Sequence, residues 1–378
     1  MENFNNSKKK KILILAKRNY ETDALKPLID ILILNNYQIA FINNQINQNN
    51  SIEEWVIDNK FDHLKVFKLR KKNDLYLAFI EISNKYLSSI EKFFNRNIFI
   101  EFILDLIRSL PYTLQLFSMR IRYKKLFKKL KPDAIIIQRE REIDSENIIL
   151  KEARVSQIKV FCIPNGYLNT MYSISNRWGD EKCILNKNQC SLIHFFQSYF
   201  KSTHLLKYKE KEYSFLPTYK SIATFFTGLY LPNPWISAGN SNISFLDSDQ
   251  TKINLLRNGI NEEKLNVSGN VYLDKLFISK DDQNELKKTI SKKYNLNIKN
   301  PILLICLPHL MEHRIFDEAR HWDEIDHIIN SSQEIYKDNI IFSLHPRCKE
   351  SNYFKRYPNC NFIDERLINI LPSVDSFA

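Results

Sequence analysis

The sequence predicts an α/β chain of two domains, each built on a parallel sheet, and three observations carry that reading. Short apolar runs recur at Ile12 to Ala16, Ala134 to Ile137, Val160 to Ile163, Ile302 to Leu307 and Ile340 to Leu344, the last interrupted only by Ser343, and each is bounded by breakers or polar residues. Runs of this kind are strands buried on both faces. Helix-patterned stretches separate them, and such alternation argues a doubly wound parallel sheet. Finally, 378 residues exceed what one hydrophobic core usually organises. The boundary falls between residues 275 and 276, with a helical insertion in the first domain.

Lys8 to Lys11 and the run Ile12 to Ala16 make the first strand, its lysines solvated before the chain enters the sheet. Residues 17 to 21 form the turn. Leu25 to Leu34 is the first helix, with Pro27 in its early turn, where proline is tolerated. No GxGxxG follows this strand, so the dinucleotide fingerprint is absent. Ile39 to Ile42 and Lys65 to Leu69 supply two further strands.

From about Leu75 to Leu130 apolar residues recur at spacings of three and four, ending in Arg120, Arg122, Lys124, Lys125, Lys128, Lys129 and Lys131. A solvated helix face explains this basic end, and so does docking on an anionic membrane. Phe99 to Phe117 carries Glu101, Asp105 and Arg108, which fits an amphipathic helix and not a span.

Ala134 to Gln138 is a strand delivering Arg139 and Glu140 to its carboxyl end, and Glu146 to Ala153 returns as a helix. Val160 to Ile163 follows, stopped by Pro164, Asn165 and Gly166. Residues 171 to 240 read as loops or an inserted subregion. Ser221 to Leu246 has no charge, and its prolines, glycine and asparagines break it into loop and short strand. Ile243 to Leu246 leads into a helix capped from Asp247, Ser248 and Asp249 and closed by Asn258 and Gly259. Leu265 to Val267 then runs into a turn at Ser268, Gly269 and Asn270.

The charged share of 26% and apolar share of 44% are those of a globular chain, and a formal charge of +12 favours anionic partners. No helix-turn-helix, RRM or zinc-finger pattern accompanies that charge, which argues against nucleic acid. The six cysteines form no CxxC pair, as expected of reduced thiols in the cytoplasm. The amino-terminal stretch lacks the apolar core of a signal peptide.

Ligands of open parallel sheets sit outside the carboxyl ends of the strands. The run Ile302 to Leu307 ends there in Pro308 and His309, followed by Glu312, His313 and Arg314; Ile340 to Leu344 ends in His345, Pro346 and Arg347. Arg18, Glu140 and Asn165 gather on the corresponding rim of the first domain. His309, Glu312 and His313 also fit the HxxEH zinc pattern, but that motif needs a helix throughout, and Pro308 with a strand precedes it here.

The stretch Asp249 to Leu276 resembles the segment leading into the second domain of GT-B-fold proteins, in the pattern of the non-hydrolysing UDP-N-acetylglucosamine 2-epimerases and the transferases of surface-polysaccharide and teichoic-acid synthesis. The resemblance implies two facing Rossmann-like domains, a nucleotide-sugar donor held mainly by the second and an acceptor by the first. His309 and Glu312 match the epimerases' histidine and glutamate, and His345 with Pro346 matches the step after the following strand. Arg18 and Glu140 occupy the places of the first domain's arginine and acidic residue. The epimerases' catalytic glutamate would fall near Pro164, a departure from their chemistry. Leu371 to Ala378 resembles the strand that precedes the donor-phosphate loop, so a second domain truncated at its carboxyl end is expected.

The expectation is therefore a glycosyltransferase-like protein of surface-polysaccharide synthesis, cytoplasmic, with peripheral contact to anionic membrane. Glu140 is the expected base, with His309 beside it in catalysis. Arg18, Gly269, Asn270, Glu312, His345 and Arg347 bind the donor, and Asn165 and Gly166 lie on the acceptor side. The nucleotide-sugar is a substrate, with no further cofactor and no metal; the acceptor is a glycan or lipid-linked glycan. An epimerase-like enzyme and a non-catalytic scaffold are the alternatives.

Overall fold

The computed structural model describes residues 9–16, 19–43, 56–57, 64–68, 98–140, 143–164, 184–185, 205–208, 211–229, 236, 238–276, 280–311, 316–345 and 348–378. The chain divides into two compact units, residues 1–272 and 273–378.

The first unit is organised by a seven-stranded parallel sheet. Its strands are β1 (Lys11–Ala16), β2 (Gln38–Asn43), β3 (Lys65–Lys68), β4 (Ala134–Ile137), β5 (Lys159–Cys162), β9 (Ile243–Leu246) and β10 (Leu265–Val267), in the order β10-β9-β5-β4-β1-β2-β3. β1 pairs in parallel with both β2 and β4, so the order reverses around it. Between β1 and β2 runs α1 (Asn19–Leu34); α2 (Ile98–Leu130) precedes β4, and α3 (Ile148–Val155) precedes β5.

Side chains alternate across this sheet, and each face has its own core. Leu13, Leu15, Ile135, Ile137, Val160 and Cys162 pack with Leu116, Met119 and Tyr123 of α2 and Ile148 and Ile149 of α3. Ile12, Ile14, Ile39, Phe41 and Ile136 pack on the opposite face with Leu25 and Ile29 of α1. Complete burial of an Ile, Leu or Phe side chain stabilises by about 1.5–3 kcal/mol. The continuous apolar runs are thus what a sheet covered on both sides requires.

Two sequence expectations are corrected. Helix α1 begins at Asn19, not Leu25, so Pro27 lies inside it; the earlier start lets Thr22, Asp23, Ala24 and Leu25 be buried. The region read as loops or an inserted subregion contains β6 (Ile184–Leu185), β7 (Leu205–Tyr208) and β8 (Lys211–Ser214), a separate antiparallel sheet in the order β6-β8-β7, in place of loop alone. It also contains the helix α4 (Thr218–Thr227). The hydroxyls of Thr224 and Thr227 donate back to Ser221 and Ala223 carbonyls at 2.8 Å, which lets polar side chains be buried there. Gly228, at φ 59°, closes the helix in the left-handed region. The expected cap at Ser248 is present: it accepts from the N–H of Thr251 at the start of α5 (Asp249–Arg257).

In the second unit four parallel strands, β11 (Leu303–Cys306), β12 (Ile340–Ser343), β13 (Asn361–Phe362) and β14 (Ser376–Phe377), lie in the order β13-β12-β11-β14. Its helices are α6 (Lys280–Lys293), α7 (Glu318–Tyr336), α8 (Glu350–Arg356) and α9 (Leu367–Ile370). Leu303, Ile305, Ile340 and Phe342 pack on Ile325 and Ile329 of α7 and Tyr353 of α8. Ile302, Leu304 and Ile341 pack on Ile290 of α6, Tyr294 and Ile370. The two-faced burial of the first unit is repeated.

Candidate functional site

At the carboxyl edge of the second unit's sheet, β11 and β12 are in register, with Cys306 opposite Ser343. The N–H of Leu307 donates to the Ser343 carbonyl at 3.0 Å, extending the ladder one residue further. Beyond it the two strands release His309 and His345, both half-buried. Their imidazoles are stacked, with ring centroids 3.6 Å apart and planes 10° from parallel. The N–H of Cys348 donates to the His345 carbonyl at 2.8 Å and turns the chain there. Burial pushes the Cys306 thiol up, and a hydrogen bond with Ser343 opposes it.

His309 lies in irregular backbone directly after the strand, not in a helix. Among the described residues no group of three or more His, Cys, Asp and Glu is placed to hold a metal. Glu312, His313 and Arg347 lie outside the described residues, as do Arg18, Asn165 and Gly166.

The carboxyl edge of the first unit's sheet gathers a different set. A shallow pocket there is lined by Ala24 and Leu25 of α1, Gln138 after β4, Pro164 after β5, Asp247 after β9, and Gly269 and Asn270 after β10. Gly269 adopts φ +84° with open space around it, and its N–H donates to the Leu246 carbonyl at 3.1 Å. The Asn270 side-chain oxygen accepts from the N–H of Tyr272 at 3.0 Å. These bonds hold the turn that forms one wall. Gln138 and Asp247 are the polar side chains that sequence reasoning missed; each was read as a strand end or a cap.

Under this edge is a layer of buried polar groups: Gln138, Glu140, Ser145, Glu146, Asn147, Asn240, Ser241 and Ser244. Ile143–Asn147 is a π-helical turn leading into α3, a feature frequent at functional sites. Among the described residues the side-chain amide nitrogen of Asn147 is buried without a hydrogen-bond partner. Such a group costs free energy unless something offsets it.

Glu140, the expected base, is differently placed. It is 0% exposed. Its Oε2 accepts from the N–H of Asn240 at 2.6 Å and its Oε1 from the N–H of Ser241 at 2.8 Å. Burial pushes the carboxyl above its ordinary range, and the hydrogen bonds from Ser241 and Asn240 oppose that. A general base needs an oxygen within reach of the acceptor hydroxyl. Here both oxygens are turned to backbone in the interior, which makes the carboxylate an anchor for the 239–242 turn.

The chain has an α/β fold of two parallel-sheet units, each with polar groups at its strand carboxyl ends, and this is the fold class of GT-B proteins. Three solved structures are similar to this chain. A UDP-GlcNAc 2-epimerase from Neisseria meningitidis, bound to UDP-GlcNAc, is 13% identical over 96% of this chain and 74% of its own, with a TM-score of 0.52. A UDP-GlcNAc 2-epimerase from Methanocaldococcus jannaschii is 17% identical over 97% and 75%, with a TM-score of 0.48. A plant UDP-glycosyltransferase from Medicago truncatula, complexed with UDP-glucose, is 9% identical over 98% and 76%, with a TM-score of 0.47. No protein-family model matches the sequence, and no curated protein matches it. At 13% identity the Neisseria likeness establishes the fold.

Proposed function

We propose that this chain is a nucleotide-sugar-dependent glycosyltransferase of surface-polysaccharide synthesis. The observation that carries the reading is the His309–His345 stack at the carboxyl edge of the second unit's sheet, where this class of fold presents polar groups to a ligand. In the proposal that unit holds the donor. His309 and His345 meet the diphosphate, with Glu312 on the donor's ribose. Arg347, two positions beyond His345, is the cation whose planar fork engages two phosphate oxygens. Arg18, Gly269 and Asn270 contribute to donor binding from the first unit, which takes a glycan or lipid-linked glycan as acceptor at the edge lined by Asp247, with Asn165 and Gly166 beside it.

In the reaction a base takes the proton of the acceptor hydroxyl and the freed oxygen bonds to the anomeric carbon. The carbon–oxygen bond to the diphosphate breaks, and its electron pair leaves with the nucleoside diphosphate. Positive groups beside that leaving group lower the barrier. Glu140 positions the 239–242 turn in this scheme. Asp247, which lines the pocket and is exposed, takes the base role in its place.

The fold similarity to an epimerase bound to UDP-GlcNAc favours one second reading, an epimerase-like enzyme. Calorimetric titration with UDP, CDP and GMP sugars tests the donor site: saturable binding by at least one supports it, and no binding by any removes both enzymatic readings. Incubation of UDP-GlcNAc without acceptor separates the two, because only an epimerase returns a nucleotide-sugar of changed sugar configuration, with the anomeric carbon joined to the diphosphate in the product.

A further inference from the structure

We propose that the outward face of α2 docks on an anionic lipid bilayer. The face opposite to it is buried in the first unit's core through Tyr112, Leu116, Met119 and Tyr123. A helix packed in this way normally shows polar side chains to water. Instead Ile103, Ile107, Leu110, Leu114, Phe117 and Ile121 are exposed, with Leu110 at 59%, Leu114 at 54% and Ile121 at 54%. Their spacings of three and four, joined by Leu106, put them on one stripe of the helix. At 1.5 Å per residue that stripe runs about 27 Å.

Lys124, Lys125 and Lys128 are exposed and continue the same stripe toward the carboxyl end of the helix. Arg120 belongs elsewhere: its Nε donates to buried Glu152 at 2.7 Å and its guanidinium to the Thr227 carbonyl at 3.1 Å. The apolar stretch and the lysines thus form one surface, apolar along most of its length and cationic at its end. A bilayer with acidic headgroups satisfies both parts, because the hydrocarbon boundary takes the apolar side chains and the phosphates take the ammonium groups. A second copy of the chain would not. The only acidic residues of α2 are Glu101 and Asp105, neither on this stripe, so facing copies would bring lysines with no acidic complement. No described helix is long and apolar enough to cross a membrane, and the contact proposed is one along the surface.

The test is flotation of the full chain with vesicles of phosphatidylcholine alone or with phosphatidylglycerol added, at low and high salt. Binding is expected to the acidic vesicles only and to fall with salt. K124E/K125E/K128E should weaken it on the order of a hundredfold, at roughly fivefold per lysine near an acidic surface. Leu110→Asp with Leu114→Asp should abolish it while the thermal transition is kept, since both side chains already face water. Equal binding to neutral vesicles, no binding to either, or a wild-type dimer that the leucine variant converts to monomer would each overturn the proposal. The assay contains no nucleotide, so its outcome is independent of the transferase reading.

Discussion

The imidazoles of His309 and His345 lie face to face at 3.6 Å, brought together by two strands whose register sets Cys306 beside Ser343. Each ring is held in orientation by the other, so the two should not act independently. His309→Ala and His345→Ala are each expected to weaken UDP binding about tenfold, the loss of one charge-assisted or polar contact. The double variant should lose less than the sum, with a coupling of about 0.5–1.5 kcal/mol for a stacked pair. Calorimetry on the four proteins measures this, and strictly additive losses would mean that the stack plays no part in binding.

Glu140→Gln separates an anchor from a base. The substitution turns one acceptor oxygen into an NH2 group facing the backbone N–H of Asn240 or Ser241. Leaving that buried donor unsatisfied should cost about 1–3 kcal/mol in urea unfolding. Turnover corrected for the folded fraction should change only a few-fold, whereas loss of a general base costs about a hundred- to ten-thousandfold. A large fall in rate with stability intact would return Glu140 to the chemistry.

What could be read in the sequence follows from how local the information is. β1, β4, β11 and β12 announce themselves because burial on both faces demands apolar runs, and His309 and His345 were legible as the residues those runs release. Helix α4 was hidden because its buried positions include Ser221, Thr224 and Thr227, the two threonines made compatible with the core by hydrogen bonds from their hydroxyls to their own helix. The pocket of the first unit draws on turns after β4, β5, β9 and β10, and no single stretch contains it. Glu140 was read as a base because it follows β4 at the place of the acidic residue in the family the sequence resembles. Its partner Asn240 lies a hundred residues further on, and nothing in the local pattern pairs them.

Asn339 ties the start of β11 to the start of β12. Its side-chain oxygen accepts from the N–H of Asn297 at 2.7 Å, and its amide lies 2.9 Å from the Pro301 carbonyl and 3.1 Å from those of Asn297 and Asn300. The residue is buried. Asn339→Ala would leave one backbone N–H and several carbonyls without this partner, at about 1–3 kcal/mol for the donor alone. A fall of that size in the unfolding free energy, with Asn339→Asp intermediate at best, is expected by urea denaturation. No change would show that water replaces the amide.

Asp375 closes the second unit, and its acid response can be predicted with a sign. The carboxylate receives the Lys287 ammonium at 2.8 and 2.7 Å and the N–H of Ile302 at 2.8 Å, joining the segment before β14 to α6 and to the residue before β11. Burial works to raise its pKa, but the Lys287 and Ile302 contacts outweigh it and hold the carboxyl below the ordinary range. A carboxylate with a depressed folded value binds fewer protons folded than unfolded, so its contribution is complete well above about pH 4, the unfolded value. It is lost as pH falls through the lower folded value. Asp375→Asn should therefore be less stable than the wild type at pH 7, and the gap should close toward pH 3 and below. Other carboxylates of the unit, Asp326 among them, are depressed as well, so the difference between the two proteins isolates Asp375. Urea midpoints at several pH values give that difference, and a gap that stays constant down to pH 3 would show that the Lys287 clasp does not form in solution.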